Sequence, residues 1–146
     1  MDARPILLVE DNPDDVELTL LAFQKHHLAN SIDVVRDGAE ALSYLYGEKG
    51  GSVRSKENMP ALILLDLKLP RVSGLDVLKR LRAESCTRRI PVVILTTSDD
   101  GSDLRSGYDL GVNSYIRKPV DFDQFIDVVK NLGLYWLMMN TPPPMD

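Results

Sequence analysis

Apolar residues gather along this chain in short strand-like runs, at about 5–9, 32–35, 61–66, 92–96 and 114–117, and the stretches between them carry helical spacing. A run of this length without polar alternation reads as a strand covered on both faces. Strands alternating with helices make a βα unit repeated five times. Right-handed crossovers then demand a parallel sheet with helices on both sides, a three-layer α/β/α architecture. The spacing predicts helices near 14–27, 38–46, 74–84, 101–110 and 121–139. In the first, Val16, Leu18, Leu20, Leu21, Phe23 and Leu28 supply an apolar stripe, while Asp14 and Asp15 suit the positive end of the helix dipole. Residues 47–59 interrupt the pattern with glycine and charge and read as an inserted surface loop. The tail 141–146 carries a proline run that cannot continue a helix, so the last helix should stop near Asn140.

Length and composition narrow the picture. A chain of 146 residues fits one domain, here 1–140, and 44% hydrophobic with 27% charged residues is ordinary for a globular protein. No apolar run approaches the ~18 residues that span a bilayer, and the first strand begins without a signal peptide. The expectation is a cytoplasmic protein without a membrane partner. A net charge of −5 argues against a nucleic-acid surface, and Arg88-Arg89 reads as a solvated loop. Cys86 has no partner for an internal disulfide and no histidine nearby in sequence to make it a catalytic thiol. His26 and His27 diverge by about 100° on a helix, a poor metal pair but a favourable helix C-terminus.

In an open parallel sheet the ligand site lies beyond the carboxyl ends of the strands, where the winding reverses. Glu10 and Asp11 end the first strand, Asp66 the third, Thr96 the fourth, and Lys118 follows the fifth. Three carboxylates crowded together repel, and the usual remedy is a hard divalent cation, magnesium or manganese. Asp66 is the candidate nucleophile, able to accept a phosphoryl group as an aspartyl phosphate. Glu10 and Asp11 would hold the metal, Lys118 would bring positive charge to the phosphoryl group, and Thr96 would donate it a hydrogen bond.

These residues sit in four motifs: Val9-Glu-Asp-Asn-Pro13, Leu65-Asp-Leu-Lys-Leu-Pro-Arg-Val-Ser-Gly74, Leu95-Thr-Thr-Ser98 and Tyr115-Ile-Arg-Lys-Pro119. With them the chain resembles the receiver domains of bacterial two-component response regulators over roughly residues 5–138. The resemblance implies a flavodoxin-like, doubly wound five-stranded sheet in the order 2-1-3-4-5. It makes Asp66 the phosphoacceptor for a sensor histidine kinase, with Glu10, Asp11, Asp66 and the backbone carbonyl of Lys68 as metal ligands. Thr96 and Lys118 would bind the phosphoryl group. Thr96 and Tyr115 would be the switch residues that change the face made by the fourth helix, fifth strand and fifth helix, and the Lys118-Pro119 peptide would be cis. Gly74 would allow the turn into the third helix. Lys68 and Ser98 would flank the water that hydrolyses the acyl phosphate and so tune its lifetime, although Lys68 can equally point to solvent.

The run Leu132-Gly-Leu-Tyr-Trp-Leu-Met-Met139 is apolar all round. One face suffices to cover the sheet, so Tyr135, Trp136, Leu137, Met138 and Met139 are the expected interface of a homodimer, or else fold back over their own core. Truncation after Leu132 should then reduce self-association. No output domain is expected after this helix, leaving a receiver that acts alone or through a downstream phosphotransfer protein. The insert and aromatic tail are similar to the small regulators that partner phytochrome-type kinases. Three rival readings remain. An aspartyl-phosphate phosphatase would want an acid where Lys68 stands, and a nucleotide or flavin module would want a glycine-rich first loop. A docking receiver that has lost phosphorylation would not need the full set of side chains.

Overall fold

The computed structural model describes residues 4–26, 28, 30–47, 53–119 and 121–144. Strands β1 (Ile6–Val9), β2 (Ile32–Val35), β3 (Leu62–Leu65), β4 (Val92–Thr96) and β5 (Ser114–Arg117) alternate with helices α1 (Pro13–Lys25), α2 (Gly38–Tyr46), α3 (Gly74–Ala83), α4 (Gly101–Asp109) and α5 (Phe122–Leu134). The five strands pair in parallel in the order β2-β1-β3-β4-β5, as the resemblance implies. Each α-helix starts on a side-chain cap, Asn12, Asp37, Ser73, Asp100 and Asp121 in turn, whose oxygen accepts an otherwise orphaned backbone N–H.

Alternation along the strands divides the core in two. Leu7, Val9, Ile63, Leu65, Val92 and Ile94 face Leu45 of α2 and Val77, Leu78 and Leu81 of α3. Ile6, Leu8, Leu62, Leu64, Val93 and Leu95 face Val16, Ala22 and Phe23 of α1 and Phe125, Ile126 and Val129 of α5. The buried line of α1 is Val16, Thr19, Ala22 and Phe23. Leu20 and Leu21, counted in the stripe from sequence, lie off that line and are exposed, because the small Thr19 and Ala22 carry the helix against its neighbours.

α2 ends on Gly47 in the left-handed conformation that glycine adopts without a Cβ penalty, and within the insert Lys56–Asn58 form a short 3-10 helix. Residues 48–52 lie outside the described set. The far end of the insert is not loose surface, since Met59 is buried in the core. Arg54 stacks 3.8 Å over the Tyr44 ring and pairs with Asp33 on the edge strand β2 at 3.8 Å. His27 falls outside the described residues, and His26 closes α1 as its C-cap. After α5 the chain widens into a π turn, Tyr135–Met139, closed by Asn140 N–H on the Tyr135 carbonyl. Trp136 and Leu137 pack against the core and only Tyr135, Met138 and Met139 are exposed, so the tail folds back in part and presents a smaller apolar patch than expected.

Candidate functional site

The sheet continues its hydrogen bonding one residue past the strands. Val9 and Leu65 are register partners, Glu10 N–H donates to the Val35 carbonyl, Asp66 N–H to the Val9 carbonyl, and Lys118 N–H to the Thr96 carbonyl. Glu10 and Asp66 are therefore set side by side above β1 and β3, where the direction of winding reverses. Glu10, Asp66, Thr96 and Lys118 are all buried, while Asp11 is exposed at the rim.

Lys118 is the hub. Its Nζ contacts Glu10 Oε1, lies 2.8 Å from Asp15 Oδ2 and lies 3.0 Å from Asp66 Oδ2. The other Asp66 oxygen, Oδ1, accepts the Leu67 N–H at 2.7 Å and a longer bond from Lys68 N–H at 3.4 Å. Asp15 is a member of this site that sequence reasoning assigned only to the helix dipole. Its signal was position: an acid in the first turn of the helix that rises directly from the Glu10-Asp11 strand end.

One ammonium shared by three carboxylates leaves the cluster short of positive charge. Burial, aided by the Asp66 charge, pushes the Glu10 carboxyl up to about 7 although Lys118 pulls it down. Burial works to raise Asp66 too, but the Thr96 hydroxyl and Lys118 outweigh it and hold its carboxyl below the usual range. Burial would lower Lys118, and the bonds to Asp15 and Glu10 with the Asp66 charge raise it above an ordinary amine. Of two adjacent carboxylates, the one better served by donors stays ionised and the other keeps its proton.

Glu10, Asp11 and Asp66 each offer an oxygen, all within 4.8 Å of one another. An octahedral ion with bonds near 2.1 Å places opposite ligands about 4.2 Å apart, so small side-chain rotations close the shell. An all-oxygen donor set without histidine or cysteine suits magnesium or manganese rather than zinc.

The turn after Asp66 is locked. A Cβ on Gly74 would stand 2.2 Å from the Asp66 carbonyl oxygen, so glycine is required here by proximity and not by its φ. Arg71 takes a left-handed φ of 68°, and its guanidinium binds the Asp37 carboxylate at 2.8 and 3.1 Å. Lys68 is exposed. The Tyr115 ring packs beneath Gly107 of α4, and its hydroxyl donates to the Ser98 carbonyl at 3.1 Å. The Lys118-Pro119 peptide departs from expectation, since no cis bond occurs among the described residues. An Xaa-Pro amide favours trans by only about 0.5–1 kcal/mol, so neighbouring sequence does not decide the isomer.

A family model described as the response regulator receiver domain matches residues 6–130. The chain is 41% identical over 138 residues to the probable methanogenesis regulatory protein FilR2 of Methanothrix harundinacea, covering 94% of this chain and 86% of that one. It is 36% identical over 142 residues to the response regulator Rcp1 of Synechocystis, covering 96% and 93%; the Mn(2+)-bound form of Rcp1 superposes with a TM-score of 0.85, at 35% identity over 97% of this chain and 99% of that one. The phosphorylated cyanobacterial phytochrome response regulator RcpA gives a TM-score of 0.86 at 39% identity, covering 97% and 99%. The bacteriophytochrome response regulator RtBRR gives 0.73 at 51% identity, covering 97% and 85%.

Proposed function

The chain belongs to the response regulator receiver domain family, whose members are signalling proteins that take phosphate from histidine kinases, and on that premise we propose that Asp66 is its phosphoacceptor. The observation that carries this reading is the Asp66 carboxylate at the tip of β3, bonded to Lys118 and within one coordination sphere of Glu10 and Asp11. A carboxylate oxygen of Asp66 attacks the phosphorus as the bond from phosphorus to the kinase histidine nitrogen breaks, and the phosphoryl group stays on Asp66 as an acyl phosphate. Magnesium or manganese, held by Glu10, Asp11, Asp66 and the Lys68 carbonyl, would supply the charge neutralisation that lets an anionic nucleophile meet an anionic donor. Lys118 stays on Asp66 and accompanies the phosphoryl oxygens, and Thr96 donates to one of them. Water later hydrolyses the acyl phosphate slowly, near Lys68 and Ser98.

Likeness to the phytochrome response regulator RcpA and the bacteriophytochrome response regulator RtBRR supports a phytochrome-type kinase as the donor; a cytoplasmic setting and passage of the signal to a phosphotransfer protein belong to the same proposal. No described helix is long and apolar enough to cross a membrane. The exposed Tyr135, Met138 and Met139, flanked by Trp136 and Leu137, support self-association through the tail. Charge placed there by Met138→Asp with Met139→Asp should lower the sedimentation coefficient, and an unchanged value would remove the dimer from this reading. The acceptor itself is tested by intact mass after incubation with acetyl phosphate and magnesium. One phosphoryl group should add to the wild type and none to Asp66→Asn; an unmodified wild type overturns the proposal.

A further inference from the structure

We infer that Asp15 is a positioning residue for phosphoryl transfer: it is the partner that keeps the Lys118 ammonium in place when Glu10 turns to a metal. A lysine ammonium carries three N–H donors. Here they meet three carboxylates, those of Glu10, Asp15 and Asp66, the last two at 2.8 and 3.0 Å. The Lys118 side chain is only 4% exposed, so water does not readily replace a partner that leaves. Glu10 and Asp66 belong with Asp11 to the oxygen group that fits a divalent ion, and Asp15 lies outside it. An ion in that group competes with Lys118 for Glu10 and Asp66, and Asp15 alone offers the ammonium a carboxylate that the ion does not use. Burial lowers the Lys118 amine, and the bond to Asp15 is the strongest of the contacts that raise it.

The fold releases Asp15 for this role and fixes its place. Asn12 caps α1, which puts Asp15 at the third helical position, where an acid commonly reaches back to the backbone N–H of the cap residue. That N–H donates instead to Glu10 Oε2 at 3.2 Å, and the Asp15 carboxylate turns to Lys118. The Asp15 main chain is held on both sides: its N–H donates to Asn12 Oδ1 at 3.3 Å, and its carbonyl accepts from the hydroxyl of buried Thr19 at 2.8 Å. Asp15 is therefore a fixed anchor, and Lys118, on a long flexible stem, is the group it places. Asp14, in the same helical turn with the same charge, is exposed and forms no ion pair with Lys118.

This inference rests on the reading of Asp66 as phosphoacceptor with its metal, and its test separates the two. Magnesium affinity of the full chain is measured by calorimetry, and intact mass follows modification by acetyl phosphate as magnesium is raised. Asp15→Asn should weaken magnesium about tenfold, the scale of one hydrogen bond between charged groups, and half-maximal modification should need about tenfold more magnesium. Asp14→Asn removes the same charge from the same turn and should stay within about twofold of the wild type. In Lys118→Met no ammonium is left to place, so adding Asp15→Asn should change the affinity by less than about twofold. A tenfold loss that persists there means that Asp15 acts on the ion by its own charge, and the positioning role is wrong. A second readout leaves Lys118 in place: with magnesium bound, the Lys118 Nζ protons followed by NMR should exchange about tenfold faster in Asp15→Asn than in the wild type, and equal rates overturn the role. If the wild type binds magnesium and takes phosphate while Asp15→Asn matches it, only the role of Asp15 falls. If the wild type does neither, the acceptor reading falls and carries this one with it.

Discussion

Helices α3 and α4 cover the same face of the sheet and are held by opposite means. α3 buries Val77, Leu78 and Leu81 completely and starts with Gly74 pressed against the Asp66 turn. α4 buries only Gly107, exposes Leu104 at 43% and Tyr108 at 53%, and is tied at its ends by polar contacts. At its start the ties are the Asp100 cap on Ser102 N–H and Ser98 with Asp103. Beyond its end it is Arg82, whose guanidinium donates to the Gly111 and Ile90 carbonyls and to Asn113. Apolar burial hardly responds to a new charge, whereas polar contacts of comparable strength can be exchanged for one another. For the phosphoryl group proposed on Asp66, the difference means a fixed floor on the α3 side and a negotiable one on the α4 side.

The largest test of that contrast is truncation of one leucine in each helix. Leu81→Ala should cost about 2–5 kcal/mol in urea unfolding, as for other fully buried leucines. Leu104→Ala should stay within about 0.5 kcal/mol. Comparable losses at the two positions would mean that α4 is packed after all.

A second test uses pH. The folded protein holds the Glu10 proton up to about 7, above the ordinary 4.5 at which the unfolded chain releases it. The stability this confers is fully present below pH 4.5 and is lost as pH rises to about 7, with roughly 3 kcal/mol as its upper bound. Asp66, held low, acts in a separate window: its contribution is present above pH 3.8 and is lost as pH falls below it. In the proposed ligand set a bound magnesium needs Glu10 ionised, so affinity should climb between pH 5 and about 7 and level off above. Calorimetric titration at three pH values checks this, and a flat affinity would place Glu10 outside the metal site. By the contrast drawn above, hydrogen exchange in α4 should follow this titration more than exchange in α3.

Arg82→Met comes third, at about 1–3 kcal/mol, because it strands the Gly111 and Ile90 carbonyls that the guanidinium satisfies. The loss should be concentrated in exchange at α4 and β5. An equal loss across α3 would show that Arg82 holds the whole face.

Strand limits were legible to within a residue or so, most plainly in β1, β3 and β4, whose apolar runs are unbroken and end at Glu10, Asp66 and Thr96. The site followed, since a parallel sheet brings such ends to one edge. What stayed hidden was whatever needs a loop's shape. Ser98, singled out only as a neighbour of the hydrolytic water, shows no link to Asp103 until the chain bends between Thr96 and Gly101. Asp15 suits a helix dipole as well as it suits Lys118, so its type alone does not select a role. The five apolar residues Tyr135–Met139 carry no polar mark to separate a π turn from an α turn. Leu20 and Leu21 look like core until the small side chains of Thr19 and Ala22 set the approach of α1.

The smallest effect is the most discriminating, because it removes one atom. Tyr115→Phe deletes the hydroxyl that donates to the Ser98 carbonyl and keeps the ring beneath Gly107, so no cavity forms. Tyr115 is half-buried, which lets water reach part of the freed carbonyl, so the cost belongs at the low end of about 0.5–1.5 kcal/mol for a hydrogen bond. Global unfolding barely registers that. Local opening does, because Ser98 then keeps its hold on Asp103 with one anchor fewer. Exchange at Ser102 and Leu104 should rise about twofold to fivefold while Leu78 in α3 stays at its wild-type rate. A rise shared equally by both helices would place Tyr115 in the common core rather than on the polar side of the contrast.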